Sequence, residues 1–281
     1  MTTDTSGITQ VKFLVEPSIK VAPLIITWIP DAGKVGSGVC QYLIQNLGGF
    51  VFAEIEPVGF FPLDGVVVQD DVAQFPETKF YCCQQKDLLI VSSSLPRLEW
   101  YTFLTTILDV VDRICKVKEM YIIGGMASAS AHTSPRALLT VANSSQTKGI
   151  IEPYDVVKDM EYETPEGQRP TLNSFLLWIA QRRGIPAVNL WVQVPFYLVA
   201  RKDPQAWKEI LHFLNQRLEL GVDFAELDSM IAKQNQKIAR ARMESPELDR
   251  CLSCLECNLG LSTSESESLL RRMEELLDQQ D

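Results

Sequence analysis

The sequence predicts an α/β fold, a three-layer α/β/α arrangement around a mostly parallel mixed sheet, with a helical extension at its C-terminal end. Three observations predict it. An apolar run enters a glycine-rich turn and leaves it as an amphipathic segment between residues 24 and 49; strand-like runs alternate with helix-period segments as far as Leu220; from Val222 onward only the helical period remains. The expected division is a core over residues 1–221 and an extension over residues 222–281.

Leu24-Ile25-Ile26-Thr27-Trp28-Ile29 has the length and β-branched content of a buried strand. Val39, Leu43 and Leu47 then recur at helical spacing, and Gly48-Gly49 stands where a C-cap is expected. Residues 50–55 are a second short apolar run. Val66-Val67-Val68 and Phe80-Tyr81-Cys82-Cys83 read as strands of an antiparallel hairpin or edge; Asp70-Asp71 sits in a turn between strand candidates, as a solvated pair with too few oxygens for a divalent metal. Residues 87–91 read as a strand, and residues 97–115 as a helix with apolar positions Leu98, Trp100, Tyr101, Leu104, Leu108, Val111 and Ile114. Met120-Tyr121-Ile122-Ile123 is a strand running into a Gly124-Gly125 turn. Residues 137–141 are strand, 171–183 helix stopped by Gly184, 187–192 buried strand, and 204–220 helix with Asp203 at its N-cap and Pro204 at its first position.

In the extension, Asp223 and Glu226 have capping-box spacing and Val222 and Leu227 staple spacing, predicting a helix that reaches Met243. Ser245-Pro246 starts another, with Leu248, Cys251, Leu252 and Leu255. Ser264-x-x-Glu267 caps a last one carrying Leu269, Leu270, Met273, Leu276 and Leu277. That helix is short, acidic and amphipathic, which suits docking on its own body, a neighbouring subunit or a partner groove.

The turn itself is Trp28-Ile29-Pro30-Asp31-Ala32-Gly33-Lys34-Val35-Gly36-Ser37-Gly38. Backbone amides at such a helix start either hold an anion or let helix and strand pack closely. Gly33, Gly36 and Gly38 read GxxGxG rather than GxGxxG, although Glu54 and Glu56 lie where a ribose-binding acid stands in dinucleotide folds. Lys34 is followed by Val35, so the Walker pattern is absent too. Ligands of parallel sheets bind beyond the carboxyl ends of the strands. Asp31, Lys34, Gly36, Gly124, Gly125 and His132 all follow strand candidates, so the fold gathers them at one rim as a candidate ligand-binding set.

Pro30-Asp31-Ala32-Gly33-Lys34-Val35-Gly36 resembles the opening signature of the proteasome-assembly-chaperone-like family. Gly124-Gly125 with His132-Thr133-x-Pro135 resembles its central stretch, and Gly184-Ile185-Pro186 with Leu190-Trp191-x-x-Val194-Pro195-x-Tyr197 its late strand. The resemblance runs from about residue 22 to about residue 258. It implies a phosphorylase- and hydrolase-like α/β/α core, a chaperone or homo-oligomeric scaffold role, and proteasome subunits as candidate partners. Two departures stand out. Some archaeal relatives end in a hydrophobic-Tyr-any tail that docks on the proteasome, whereas this chain reads Leu277-Asp278-Gln279-Gln280-Asp281, and Phe196 stands where relatives often have His.

The chain has 281 residues, 46% of them hydrophobic and 22% charged, enough to bury a large core. No stretch approaches a membrane span, and the N-terminal residues, with Asp4 and Gly7 but no basic start, do not form a secretory signal. Seven cysteines, an odd number including Cys82-Cys83, do not read as a secreted disulfide framework, so the cytoplasm is the expected compartment. A net charge of −10 disfavours nucleic acid as a partner, and −7 of it lies between Glu244 and Asp281.

Cys251-x-x-Cys254-x-x-Cys257 is the sharpest metal-like pattern. Zinc and iron–sulfur sites want a fourth ligand that the neighbouring sequence lacks, and on a helix the three cysteines can be small buried hydrophobes. Of two histidines, His212 lies on a predicted helix and reads as structural. His132 follows Ser128 and Ser130, so either a Ser–His pair or a backbone-bonded loop histidine fits. No GxSxG elbow accompanies it. The expectation is a non-enzymatic, cofactor-free assembly or scaffold protein that forms a homo-oligomer, with a rim-bound small ligand or hydrolysis as the alternative.

Overall fold

The computed structural model describes residues 10–62, 67–69, 71–157, 161, 163 and 165–278. Asp4, Gly7, Val66, Asp70 and Gln279-Gln280-Asp281 lie outside the described residues. The main sheet has eight strands: β1 (Val11–Phe13), β2 (Val21–Ile29), β3 (Phe50–Ile55), β6 (Thr78–Cys83), β7 (Leu88–Ser94), β8 (Lys116–Ser128), β9 (Leu138–Ala142) and β10 (Ala187–Pro195). Their order is β1-β3-β6-β7-β2-β8-β10-β9. The centre, β7-β2-β8-β10, is parallel, and the flanks are antiparallel.

The alternation of side chains along each central strand builds the layers. Ile25, Tyr121 and Ile123 face one core with α1 (Val35–Asn46), α5 (Pro204–Leu218), α6 (Ala225–Glu244), α7 (Pro246–Glu256) and α8 (Thr263–Asp278). Leu24, Ile26, Met120 and Ile122 face the other, against α2 (Trp100–Ile114) and α4 (Leu172–Arg182). Helices thus cover both faces of the sheet in a three-layer α/β/α fold. The short α3 (Ser145–Ile151) follows β9. Leu227, Ile238, Leu248, Cys251, Leu252, Leu255, Leu269 and Met273 from the last three helices join the first core, so the helical extension packs on the sheet's own helices.

Several local expectations need correction. Gly124-Gly125 is not a turn: both glycines lie inside β8, which pairs with β10 from Met120 to Ser128. Among the described residues, Val67-Val68 does not pair with Phe80-Tyr81-Cys82-Cys83. Val67–Gln69 (β4) forms a separate hairpin with Val72–Gln74 (β5), while Phe80-Tyr81-Cys82-Cys83 pairs with β3 and β7. On α2 the buried face is Phe103, Leu104, Ile107, Leu108 and Val111; Tyr101 in its first turn is exposed, and Leu98 is exposed because the chain becomes helical only at Trp100. Asp223 makes a local turn, accepting from Ala225 N (3.1 Å), and Phe224 takes the N-cap, so the expected box does not form. The box at the last helix sits two residues earlier: Ser262 and Glu265 hydrogen bond reciprocally (2.8 and 3.4 Å). By contrast Thr171, Asp203 and Ser245 cap their helices through Ser174 N, Ala206 N and Leu248 N.

Candidate functional site

The parallel strands β2, β8 and β10 end at one edge of the sheet, and their continuations meet there. After β2 the chain makes a single 3-10 turn, Ala32–Lys34, with Gly33 at φ +67° and Lys34 at φ +48°, then enters α1. Asp31 closes this turn. Its Oδ2 accepts from the amide of Gly36 at the helix start (2.9 Å) and from the amide of Gly125 in β8 (2.9 Å). The place where a helix start would hold a ligand's anion therefore holds the chain's own carboxylate.

The glycines explain how close these segments come. A methyl group on Gly125 would lie 2.0 Å from Ala32 O, and one on Gly36 would lie 1.7 Å from Thr27 Oγ1. Gly124 faces Asp31 more loosely, 3.7 Å from Oδ2 by the same construction. Burial pushes the Asp31 carboxyl up to about 6, against the pull of its backbone hydrogen bonds from Gly36 and Gly125. Its second oxygen, Oδ1, is buried with no hydrogen-bond partner among the described residues. Lys34 is exposed.

His132 stands in the loop after β8 and is buried. Its amide donates to Tyr197 Oη (2.6 Å), and its Nδ1 lies 3.0 Å from the same oxygen. Burial, with the nearby Arg136 guanidinium, lowers its pKa to about 4, so the ring is neutral at ordinary pH. Ser128 and Ser130 hydrogen bond each other (2.6 Å), and the His132 ring meets the Tyr197 phenol rather than a serine or a backbone group. Tyr197 lies just past β10, and the same burial raises its phenol.

A second network welds the two halves. Arg136 and Asp203 form an ion pair (3.0 Å) with side-chain exposures of 1% and 0%. Arg136 also donates to Ala131 O (3.1 Å) and Ser134 O (3.0 Å), fixing the His132 loop. Asp203 caps α5, and its amide donates to Gly33 O (3.0 Å), which also accepts from Trp207 Nε1 (2.9 Å). Thr133 donates to Glu256 on α7 (3.1 Å), and Arg242 of α6 forks onto that carboxylate (2.6 and 3.1 Å). The structure thus brings Asp31, Gly36, Gly124 and Gly125 together and sets His132 beside them through this network; no hydrogen bond joins His132 to Asp31 or Lys34 among the described residues.

Sequence reasoning missed Tyr197, Arg136 and the buried role of Asp203. Asp203 was visible only as a cap, and nothing in the spacing shows that a guanidinium 67 residues away completes its charge. The three cysteines lie on and just after α7: Cys251 is buried in the core, Cys254 half-buried and Cys257 exposed. No group of three or more His, Cys, Asp or Glu side chains converges as a metal site among the described residues. His212 is exposed on α5, with its ring against Phe224.

Solved structures share this architecture. A Corynebacterium glutamicum protein of unknown function superposes with a TM-score of 0.72 at 17% identity, over 94% of this chain and 98% of its own. A Mycobacterium tuberculosis proteasome-assembly chaperone homologue gives 0.68 at 21%, over 82% and 99%. Pyrococcus furiosus PbaB, an archaeal proteasome activator, gives 0.64 at 21%, over 83% and 98%. At these identities the likeness shows the fold. None of the curated proteins compared matches the chain. The model of the PAC2 family matches residues 25–242, which span the Asp31 junction, the His132 loop and the β10 edge, and the chain belongs to the PAC2 family.

Proposed function

We propose that this chain is a non-enzymatic, assembly-chaperone-like or scaffold protein that acts through protein–protein contacts, self-associates and works in the cytoplasm. One observation carries the reading: a strip of large apolar side chains on the α2 and α4 side faces solvent, with Leu95 48%, Leu98 48%, Tyr101 57% and Trp178 44% exposed. Phe175 bridges it, 6.3 Å from the Tyr101 ring and stacked at 5.5 Å on Trp178. Exposed aromatic and aliphatic side chains of this kind, Tyr101 and Trp178 joined through Phe175, mark interaction sites. Family membership agrees, and proteasome subunits are candidate partners because a similar fold carries that role in the mycobacterial homologue and in PbaB.

Light scattering on the purified chain, with co-purification under gentle conditions, tests this. The wild type is expected as an oligomer or complex, and Leu98→Glu with Tyr101→Glu is expected to release monomer at an unchanged Tm. Monomer in the wild type, or assembly that survives the double substitution, refutes the reading.

A second reading has its own support in the unpartnered, buried Oδ1 of Asp31: a small ligand bound or hydrolysed at Asp31, Lys34, Gly36, Gly124, Gly125 and His132. A thermal-shift ligand screen repeated on Lys34→Ala and His132→Ala tests it; no ligand-dependent shift removes it.

A further inference from the structure

We propose that the groove between the start of α5, helix α6 and the end of α8 binds a small anion bearing two or more phosphate groups. A cavity of about 300 Å³ opens there, and Arg201, Lys202, Lys233 and Lys237 line it. This collects positive charge on a chain whose net charge is −10. Several cations on the neighbouring helices pair with carboxylates: Lys208 with Asp228 (2.6 Å), Arg217 with Glu119 (2.7 Å), and Arg242 with Asp249 (2.8 Å) and Glu256 (2.6 Å). Among the described residues, Lys202, Lys233 and Lys237 have no carboxylate partner.

That arrangement costs something in the empty protein. Lys233 and Lys237 are four residues apart on α6, where like charges repel by a few tenths of a kcal/mol (about 0.2–0.5). A multiply charged anion converts the repulsion into attraction. The walls are already braced: Gln234 donates its side-chain amide to Lys202 O (2.8 Å), tying α6 to the loop, and the Lys208–Asp228 pair ties α5 to α6. Pro204, the first residue of the fifteen-residue α5, also lines the cavity and gives it a rigid wall.

Phosphate suits this lysine-rich lining, because ammonium groups bind phosphate oxygens as compact point charges. The volume stands at the small end for ligand sites and matches a diphosphate or a sugar bisphosphate rather than a polymer.

Calorimetric titration of the full chain with inorganic pyrophosphate tests the proposal, with citrate as a carboxylate anion at matched ionic strength. Saturable pyrophosphate binding is expected at a Kd below about 1 mM. It should tighten as salt falls and exceed citrate binding severalfold. Lys233→Gln with Lys237→Gln, exchanges on the outer surface of a helix that keep helix propensity, should weaken it at least tenfold; Lys202→Gln in the loop is a second variant should the first lose its circular dichroism. No saturable pyrophosphate binding overturns the proposal. So does citrate binding equally well, or binding that these substitutions leave unchanged.

Discussion

Replacing Asp31 separates a structural clamp from a ligand site, because the two predict opposite signs. In the clamp, Oδ2 satisfies the amides of Gly36 and Gly125 at 2.9 Å each. Asp31→Ala strands both, at about 1–3 kcal/mol for each buried donor, or roughly 2–6 kcal/mol in all. The variant also escapes the desolvation that pushes the carboxyl up to about 6. That relief is at most about 3 kcal/mol and smaller for a group that keeps some solvent contact. The net expectation near pH 7.5 is a loss of roughly 1–3 kcal/mol, which in a chain of this size lowers Tm by a few degrees to about 10 °C. Asp31→Asn keeps a carbonyl oxygen for both amides and sheds the charge, so it should stay within about 1 kcal/mol of wild type. The pH dependence has a definite sign. A folded carboxyl pKa above the ordinary 3.8 means the native state binds the proton more tightly, so this contribution is full below about 4 and is lost as pH rises to about 6. Urea melts of wild type and Asp31→Asn across that window should show their stability difference falling and then levelling. Asp31→Ala as stable as Asp31→Asn, or more stable than wild type, would refute the clamp and favour a strained ligand-binding carboxylate.

Two further predictions concern the second network. Arg136→Met leaves the Asp203 carboxylate fully buried and uncompensated and should cost about 3–5 kcal/mol in chemical melts, with Asp203→Asn added in the same chain recovering part of it; simple additivity of the two substitutions would show that the pair is not coupled. For His132, a folded pKa near 4 against the ordinary 6.5 gives a stability contribution present above about 6.5 and lost as pH falls to about 4, and His132→Asn should flatten that limb; an NMR titration placing the ring above 6 would contradict the burial argument.

What could be read from the sequence follows the range of the forces involved. β2, β3, α1 and α5 were legible because short-range signals set them: a β-branched run, a helical period, a glycine stop, and Asp203-Pro204 at a helix start. The Gly124-Gly125 pair misled because glycine in a strand looks like a turn when nothing nearby in sequence explains it. Its reason, the approach of Ala32 and Asp31, comes from more than 90 residues away. The outward placement of Leu98 was hidden for a different reason. An apolar residue at roughly the right spacing joins the buried face only if the helix has already begun, and α2 begins after Leu98. Capping boxes slipped by one or two residues because several Ser, Asp and Glu spacings compete locally and packing selects among them.

The segments that carry the family resemblance meet in space at the rim. Asp31 of the first bonds Gly125 of the second, His132 of the second bonds Tyr197 of the third, and a methyl on Gly33 would press on Val194 at 3.0 Å. The signature is therefore the set of residues that lets three strand ends close on one another. A sequence pattern of that kind specifies how the rim is built, so it identifies the family without specifying what any member touches. The surfaces that could differ between members lie elsewhere: the apolar strip around Tyr101 and Trp178, and the lysine-lined groove beside α6. Substitutions on those two surfaces should alter function while leaving the fold intact, whereas substitutions in the rim should act first on stability.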